Sequence, residues 1–154
     1  MTAWRSLPIL VLAASLHAAD APPPAPSAQA QPIAASRKPL ADHGLQPLVD
    51  KARETYPAAR KTFAAGLPRG DKFFVRVQLE DATGATDYAV LRVRTIIDGV
   101  IKGNIYSAPK KVAGFQFGQP CDVPEGEILD WIIARADGGE EGDLMAKILG
   151  KPAP

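Results

Sequence analysis

The sequence contains few of the side chains on which catalytic and metal-binding sites are most often built. Its 154 residues include one cysteine, Cys121, and two histidines, of which only His43 lies beyond the first 20 residues. A single thiol cannot form an intramolecular disulfide, and a zinc site needs several cysteine or histidine ligands. Serine and cysteine nucleophiles need a base, which is usually histidine. We therefore expect no catalytic residues of these classes, no metal site and no cofactor.

The sequence also lacks a large excess of either charge, because 18 Lys and Arg residues nearly balance 17 Asp and Glu residues and the net charge is only +1. A protein that binds nucleic acid through its phosphates carries a larger positive charge, so we expect no nucleic-acid partner. Lys and Arg exceed Asp and Glu over residues 50–111, and the reverse holds over residues 112–149. Either the two regions interleave and their charges mix on the folded surface, or the second region forms an acidic patch that meets a basic partner.

One apolar stretch, LPILVLAASL at residues 7–16, follows Arg5 and precedes the small residues Ala18 and Ala19. Its length suits the apolar part of a signal peptide and is too short to span a bilayer. We expect residues 1–19 to be a cleavable secretory signal peptide, which predicts a periplasmic or secreted protein. No cysteine near the cleavage region offers an acceptor for a lipid, so we expect no stable membrane anchor.

Residues 20–44 are rich in proline and alanine, and four of the prolines fall within residues 22–26. Such a composition favours extended polyproline conformations without a packed core. We predict a disordered leader here, followed by one domain over residues 45–150. A domain of that length is long enough to bury a core without disulfides or metal.

The domain begins with a helical pattern and continues with strands. Apolar residues at spacings of three and four predict a helix over residues 45–63, kinked or split at Pro57. Over residues 73–80 the period changes to two, with apolar side chains on one face and polar ones on the other. The Asp98-Gly99 pair predicts a type I′ hairpin, because both of its central residues need a positive φ.

The remaining segments are shorter, and they complete an α+β fold class. Residues 119–123 and 131–135 predict further strands, while residues 144–149 fit either a helix or a strand. The expected architecture is an N-terminal helix packed on a small, strongly twisted antiparallel β-sheet of about five strands.

The acidic segment at residues 137–143, DGGEEGD, superficially resembles a calcium-binding loop. Gly139 and Ile148 stand where the EF-hand pattern requires oxygen ligands, so a solvated turn accounts for it better. Farther upstream, Asp130 precedes Trp131. Either the tryptophan anchors the core while the carboxylate accepts backbone N–H groups, or the pair lies on the rim of a recognition groove. The candidate binding residues are Asp130, Trp131 and Tyr106.

Several short motifs occur in a particular order along the domain. They are Ala52-Arg53, Phe63, Phe74-Val75-Arg76-Val77, Glu80-Asp81, Gly103, Ile105, Pro109, Gly118-Gln119, Ile128-Leu129-Asp130-Trp131, Asp137-Gly138 and Gly142. In this order, residues 48–149 resemble the bacterial DUF2314 (YegJ-like) family, whose members have no assigned biochemical function. The resemblance implies a small α+β fold and no mechanism.

Two positions depart from that family's pattern. Residues 87–90, DYAV, stand where the family often has a Glu-His-x-Trp segment, and Ser107 stands where it commonly has an asparagine. If those polar residues line a site in relatives, the resemblance implies that the site is altered or lost here.

The scarcity of catalytic residues and the export signal together favour a non-enzymatic binding or interaction module, whose partner is an unknown protein or small ligand. One alternative is a periplasmic inhibitor or immunity-type protein. Another is a hydrolase that uses only carboxylates, among which Asp122, Glu125, Glu127 and Asp130 are available. A deep cleft with two facing carboxylates would favour the hydrolase, whereas a shallow aromatic face would favour binding.

Overall fold

The computed structural model of the protein describes Leu40 and residues 43–150. The predicted signal peptide, 1–19, and most of the predicted leader, 20–44, lie outside these residues. The described chain has the predicted α+β fold, one N-terminal helix followed by a six-stranded antiparallel sheet. Its elements are α1 (Gln46–Ala65), β1 (Lys72–Glu80), β2 (Thr86–Ile97), β3 (Val100–Ser107), β4 (Pro120–Pro124), β5 (Ile128–Ala134), β6 (Glu140–Gly142) and α2 (Ala146–Leu149).

The long helix α1 follows a short 3₁₀ turn at His43–Leu45 and has Pro47 in its first turn. Proline is tolerated there because the first helical N–H groups have no partner in the helix. The helix runs unbroken through Pro57, so the chain does not split into two helices as one prediction allowed. Neither helix of the described chain is long and apolar enough to cross a membrane.

The sheet has the strand order β4-β3-β2-β1-β5-β6, with β1 and β2 at its centre. The tight turn between β2 and β3 confirms the hairpin prediction, because Ile97 pairs with Val100 and the φ angles of Asp98 and Gly99 are 50° and 75°. The sixth strand, β6, is one more than the five or so expected. It pairs with the end of β5 through only three residues.

Both faces of the central strand β1 are buried. On the face that we call the helix face, the side chains packed with Tyr56 and Ala59 of α1 include Phe73, Val75, Val77 and Leu79. On the opposite face, which we call the second face, Phe74, Arg76 and Gln78 are only 6%, 4% and 4% exposed. Two of the polar residues of the alternating pattern, Arg76 and Gln78, are therefore buried as well.

Charges from the two halves of the domain mix in the fold. Ion pairs join the basic region to the acidic region at several places; they are Arg60–Glu125, Arg76–Asp143, Lys102–Asp122 and Asp71–Arg135. These pairs support the interpretation that the charges of the two regions interleave on the folded protein, and they do not support a separate acidic patch. The strand order explains it, because β5 and β4 from the acidic region pair with β1 and β3 from the basic region.

The single cysteine is a core residue of β4. Cys121 is fully buried within the core of the helix face. Burial raises the pKa of its thiol to about 12, and the nearby charge of Asp122 acts in the same direction. Because the thiolate is the reactive form, the thiol of Cys121 is unreactive at neutral pH.

One carboxylate ties the segment after β3 to the start of β2. The Oδ2 atom of Asp87 accepts the backbone N–H groups of Lys110 and Lys111 at 2.7 and 2.8 Å, and its Oδ1 atom accepts that of Tyr88 at 2.9 Å. Burial acts to raise the pKa of Asp87, but these three hydrogen bonds outweigh it and the pKa is lowered. Asp87 therefore holds this loop in its ionised form.

We expect Asp87→Asn to destabilise the protein by about 1–2 kcal/mol at pH 7, the usual value of a carboxylate that caps backbone N–H groups. A carboxyl group whose pKa is lowered in the folded state stabilises above its unfolded pKa of about 3.9 and loses that effect as the pH falls through the folded pKa. In urea melts, the difference between wild type and variant should therefore shrink below about pH 4. The control Asp98→Asn, at an exposed turn residue, should match wild type throughout; a pH-independent difference for Asp87→Asn would contradict the prediction.

Candidate functional site

A small cavity of about 150 Å³ opens on the second face of the sheet. Lys72 and Phe74 of β1 line it together with Tyr106 of β3, and the other wall belongs to β5 and β6. The residues that complete this lining are Ile132, Ala134, Glu140 and Asp143. Alternation places Lys72, Phe74, Ile132 and Ala134 on one face, since β1 and β5 are paired with Phe74 opposite Ile132.

Three aromatic rings lead from the floor of this cavity to solvent. The ring centroids of Phe74 and Tyr106 are 4.8 Å apart, and those of Tyr106 and Phe117 are 6.3 Å apart. Phe74 is buried, Tyr106 is half-buried, and Phe117 is 69% exposed. Phe117 lies in the loop between β3 and β4. A large apolar side chain exposed to this degree beside other aromatics is typical of an interaction surface.

A buried ion pair lies beside the aromatic rings. The Nη2 atom of Arg76 donates to Oδ1 of Asp143 at 3.1 Å, and the two side chains are 5% and 6% exposed. Asp143 also lines the cavity, so one partner of the pair forms part of its wall. Within the described chain, the buried Nε atom of Arg76 has no hydrogen-bond partner. Unsatisfied buried donors are costly and rare in native structures.

The backbone after β6 is held in an uncommon conformation that positions Asp143. Gly142 and Asp143 both have positive φ, 79° and 54°, which is rare for a residue with a side chain. The N–H of Asp143 donates to the carbonyl of Trp131 at 2.9 Å. A Cβ atom on Gly142 would lie 2.1 Å from the same carbonyl oxygen. Only glycine fits there, and the tight approach brings the Asp143 carboxylate to Arg76.

Asp130 lies behind this ion pair and does not line the cavity. It faces Arg76 across the β1–β5 pairing and is completely buried. Its Oδ1 atom accepts the N–H of Trp131 and its Oδ2 atom accepts the N–H of Met145, both at 2.8 Å. Burial raises the pKa of Asp130; the charge of Asp143 adds to the rise, while the two N–H groups and Arg76 oppose it. Asp130 therefore supports the backbone around the site.

Trp131, the next residue, lies on the helix face. Its ring packs against the main core, and its Nε1 atom donates to Oγ1 of Thr55 on α1 at 3.0 Å. Of the three predicted binding residues, the structure thus places Tyr106 in the cavity, Asp130 behind it and Trp131 on the opposite face. Adjacent residues of a strand point to opposite faces, so Asp130 and Trp131 do not share a surface.

Sequence reasoning missed four residues that form the site. Phe74 and Arg76 belong to an alternating strand, where nothing in the sequence indicates that both faces are covered. Asp143 falls in a segment interpreted as a solvated turn. Phe117 carried a signal, because it is one of two aromatics in the GFQFG loop at residues 114–118.

The arrangement suits binding better than bond cleavage. The carboxylate of Asp143 is paired with Arg76, and that of Asp130 is buried with both oxygens bonded to backbone N–H groups. Small-molecule sites usually measure about 300–1,000 Å³, so this cavity is smaller than a typical substrate site. Within the described residues, no group of three or more His, Cys, Asp or Glu side chains is placed to hold a metal ion.

No family model, no curated protein and no solved structure matches this chain. The resemblance to the DUF2314 family stays a prediction.

Proposed function

We propose that this protein is an exported, non-enzymatic binding module that recognises a protein partner through the second face of its sheet. The observation that carries the proposal is the exposed ring of Phe117 beside an aromatic-lined cavity. Export rests on the apolar stretch at residues 7–16 after Arg5. A periplasmic inhibitor or immunity-type protein is a narrower form of the same proposal.

The size of the cavity supports a single side chain as its occupant. A cavity of about 150 Å³ has room for a ring the size of benzene. Phe74, Tyr106 and Ile132 supply apolar and aromatic surface inside it, while Phe117 extends the contact outside. An aromatic or branched aliphatic side chain of the partner would enter the cavity and act as the anchor residue of the interface.

The construction around the cavity supports rigid recognition. Its walls are the side chains of a paired sheet, and the Arg76–Asp143 ion pair holds the segment after β6 against that sheet. A site whose side chains are already held in place loses less conformational entropy when a partner binds. We expect the side chain that enters the cavity to be uncharged, since the lining includes both a lysine and carboxylates.

Hydrolysis by carboxylates is the less favoured alternative. A raised pKa such as that of Asp130 is typical of a general acid. A general acid must also come within hydrogen-bond distance of the substrate, and Asp130 is completely buried with both oxygens bonded to the backbone. The geometry therefore favours a binding module.

Site-specific photocrosslinking in the producing cell tests the proposal. We expect a benzophenone side chain at position 117 to give a discrete adduct with one protein on irradiation. The matched control carries the same group at Ile97, which is 50% exposed on the distant β2–β3 hairpin, and should give no such adduct. Adding Tyr106→Ala should abolish the adduct at position 117. The absence of any adduct from position 117, or the same adduct from both positions, would overturn the proposal.

A further inference from the structure

A second groove, of about 360 Å³, lies between α1 and the segment that connects β4 to β5. On the helix side it is lined by Arg53, Tyr56, Pro57 and Arg60, and on the other side by Glu125 and Ile128. Its volume falls within the usual range for small-molecule sites. The groove is separate from the cavity on the second face, with which it shares no lining residue.

Each of the two arginines in this groove is held in place through its own Nε atom. The Nε atom of Arg53 donates to the carbonyl oxygen of Ile128 at 3.0 Å, and that of Arg60 donates to Oε1 of Glu125 at 2.5 Å. Residues seven apart lie on one side of a helix. Within the described chain, the terminal nitrogens of these two groups make no hydrogen bond. Two oriented pairs of N–H donors thus remain available at one groove.

The remaining polar groups of the groove set its charge. Glu125 also accepts the hydroxyl proton of Tyr56 at 2.7 Å. Burial, and then the hydrogen bond to Glu125, raises the pKa of Tyr56, so the phenol stays neutral. Two guanidinium groups against one carboxylate leave the groove with one positive charge, which matches a monoanion. Glu125 acts as a positioning residue, because it fixes Arg60 and Tyr56 together.

The groove also offers an apolar wall. The exposed ring of Pro57 forms this wall, whereas the side chain of Ile128 is buried and its backbone carbonyl meets Arg53. Proline has no N–H to donate to the carbonyl of Arg53 one turn earlier. A proline inside a helix normally costs several kcal/mol, yet this one faces the groove. Its ring gives a ligand apolar surface beside the two arginines.

We propose that this groove binds a monocarboxylate whose apolar body rests on the exposed ring of Pro57 while its carboxylate pairs with Arg53 and Arg60. Planar guanidinium groups match the geometry of a carboxylate and bind it through two parallel hydrogen bonds. The carboxylate belongs either to a free organic acid or to the C-terminus of a peptide. The chemistry that the groove recognises is the same in both cases.

The test is a calorimetric and NMR titration of the full chain with phenylacetate. We expect saturable binding of phenylacetate, and binding weaker by at least about tenfold for its neutral analogue phenylacetamide, because charged hydrogen bonds contribute strongly. Arg53→Gln and Arg60→Gln should each weaken phenylacetate binding by at least about tenfold. The matched control is Lys61→Gln, an exposed cation on α1 that does not line the groove; it should leave the affinity within about twofold.

Further probes distinguish the C-terminus of a peptide from a free organic acid as the source of the carboxylate. A short peptide with a free C-terminus that binds more tightly than phenylacetate, and loses binding on amidation, would support a peptide source; weaker binding of the peptide would support a free acid. Arg53→Lys keeps the charge without the planar fork, so an intermediate affinity is expected with an unchanged far-ultraviolet spectrum. Equal binding of phenylacetate and phenylacetamide, tighter binding of inorganic phosphate, or unchanged affinity in both glutamine variants would overturn the proposal. Crosslinking from position 117 does not depend on Arg53 or Arg60. The proposed protein-binding face and the proposed carboxylate groove can therefore be tested separately.

Discussion

Replacing Arg76 with methionine is expected to lower the free energy of unfolding by about 3–5 kcal/mol near pH 7, the usual cost of removing one partner of a buried ion pair. Arg76 lies between Val90 of β2 and Asp130 of β5 on the second face and pairs with Asp143. Without it, two carboxylates remain in a region almost closed to water. Methionine has a similar length and no charge, so the loss of packing is small by comparison.

The effect of Arg76→Met should depend on pH in a defined direction. Arg76 lowers the pKa of Asp130, which burial and the charge of Asp143 raise. Removing the cation raises the folded-state pKa further, so the folded variant takes up protons more readily than its unfolded chain. Its stability should therefore rise as the pH falls from 7 towards the unfolded carboxyl value of about 3.9, and the deficit against wild type should shrink.

Urea melts of three variants at pH 7 and pH 5 check this prediction. Arg92→Met, a half-buried arginine paired opposite Phe74, is the matched control and should cost less than about 1 kcal/mol. Adding Asp143→Asn to Arg76→Met should recover part of the loss, because one unpaired buried charge is removed. A deficit that grows at pH 5, or a double variant no better than the single one, would show that the pair does not couple as described.

Gly142→Ala is the second change with a large expected effect, a loss of about 3 kcal/mol or more in the free energy of unfolding. The φ angle of Gly142 is 79°, and an added Cβ atom would lie 2.1 Å from the carbonyl oxygen of Trp131. Left-handed backbone costs an alanine about 1–2 kcal/mol. The clash with a backbone atom adds to this, because neither β5 nor the turn can move away without breaking the hydrogen bond between Asp143 and Trp131.

Gly138→Ala separates the two contributions. Gly138 also has a positive φ, 90°, but a Cβ atom there would meet nothing within 4 Å. It should therefore show the conformational cost alone, about 1–2 kcal/mol. Thermal melts with equal losses for the two variants would mean that the clash is relieved at no cost, and that the approach of Gly142 to β5 does not constrain Asp143.

Elements whose signal is local could be predicted from the sequence. The spacing of apolar residues indicated α1, and the alternation of residues 73–80 indicated β1, because a periodic pattern reflects one buried face. The turn at Asp98-Gly99 was predictable since its two residues tolerate positive φ. The three residues of β6 carry no such pattern. Glu140–Gly142 are all exposed, and they form a strand only because the edge of β5 offers backbone groups to pair with.

The three predicted binding residues do not form one site in the structure, and again the sequence carries no local signal for their arrangement. The sequence places Asp130 beside Trp131, and only the pairing of β5 decides which of them faces the helix. Tyr106 was named from the sequence, but the ring beside it in the cavity is Phe74, which lies 32 positions earlier in the chain. The periodic spacing of apolar residues along the sequence does not predict contacts between residues so far apart.

What the sequence by itself determined is the class of this protein: an N-terminal helix, antiparallel strands joined by a tight hairpin, and a chemistry limited by one cysteine and few histidines. The tertiary structure decided what covers the second face. Alternation distinguishes the two faces of a strand but does not say whether the polar one meets water. Arg76 is buried because Asp143, 67 residues later, reaches it from a turn that only glycine at position 142 permits. That long-range contact, and with it the cavity, exists only once the sheet has formed.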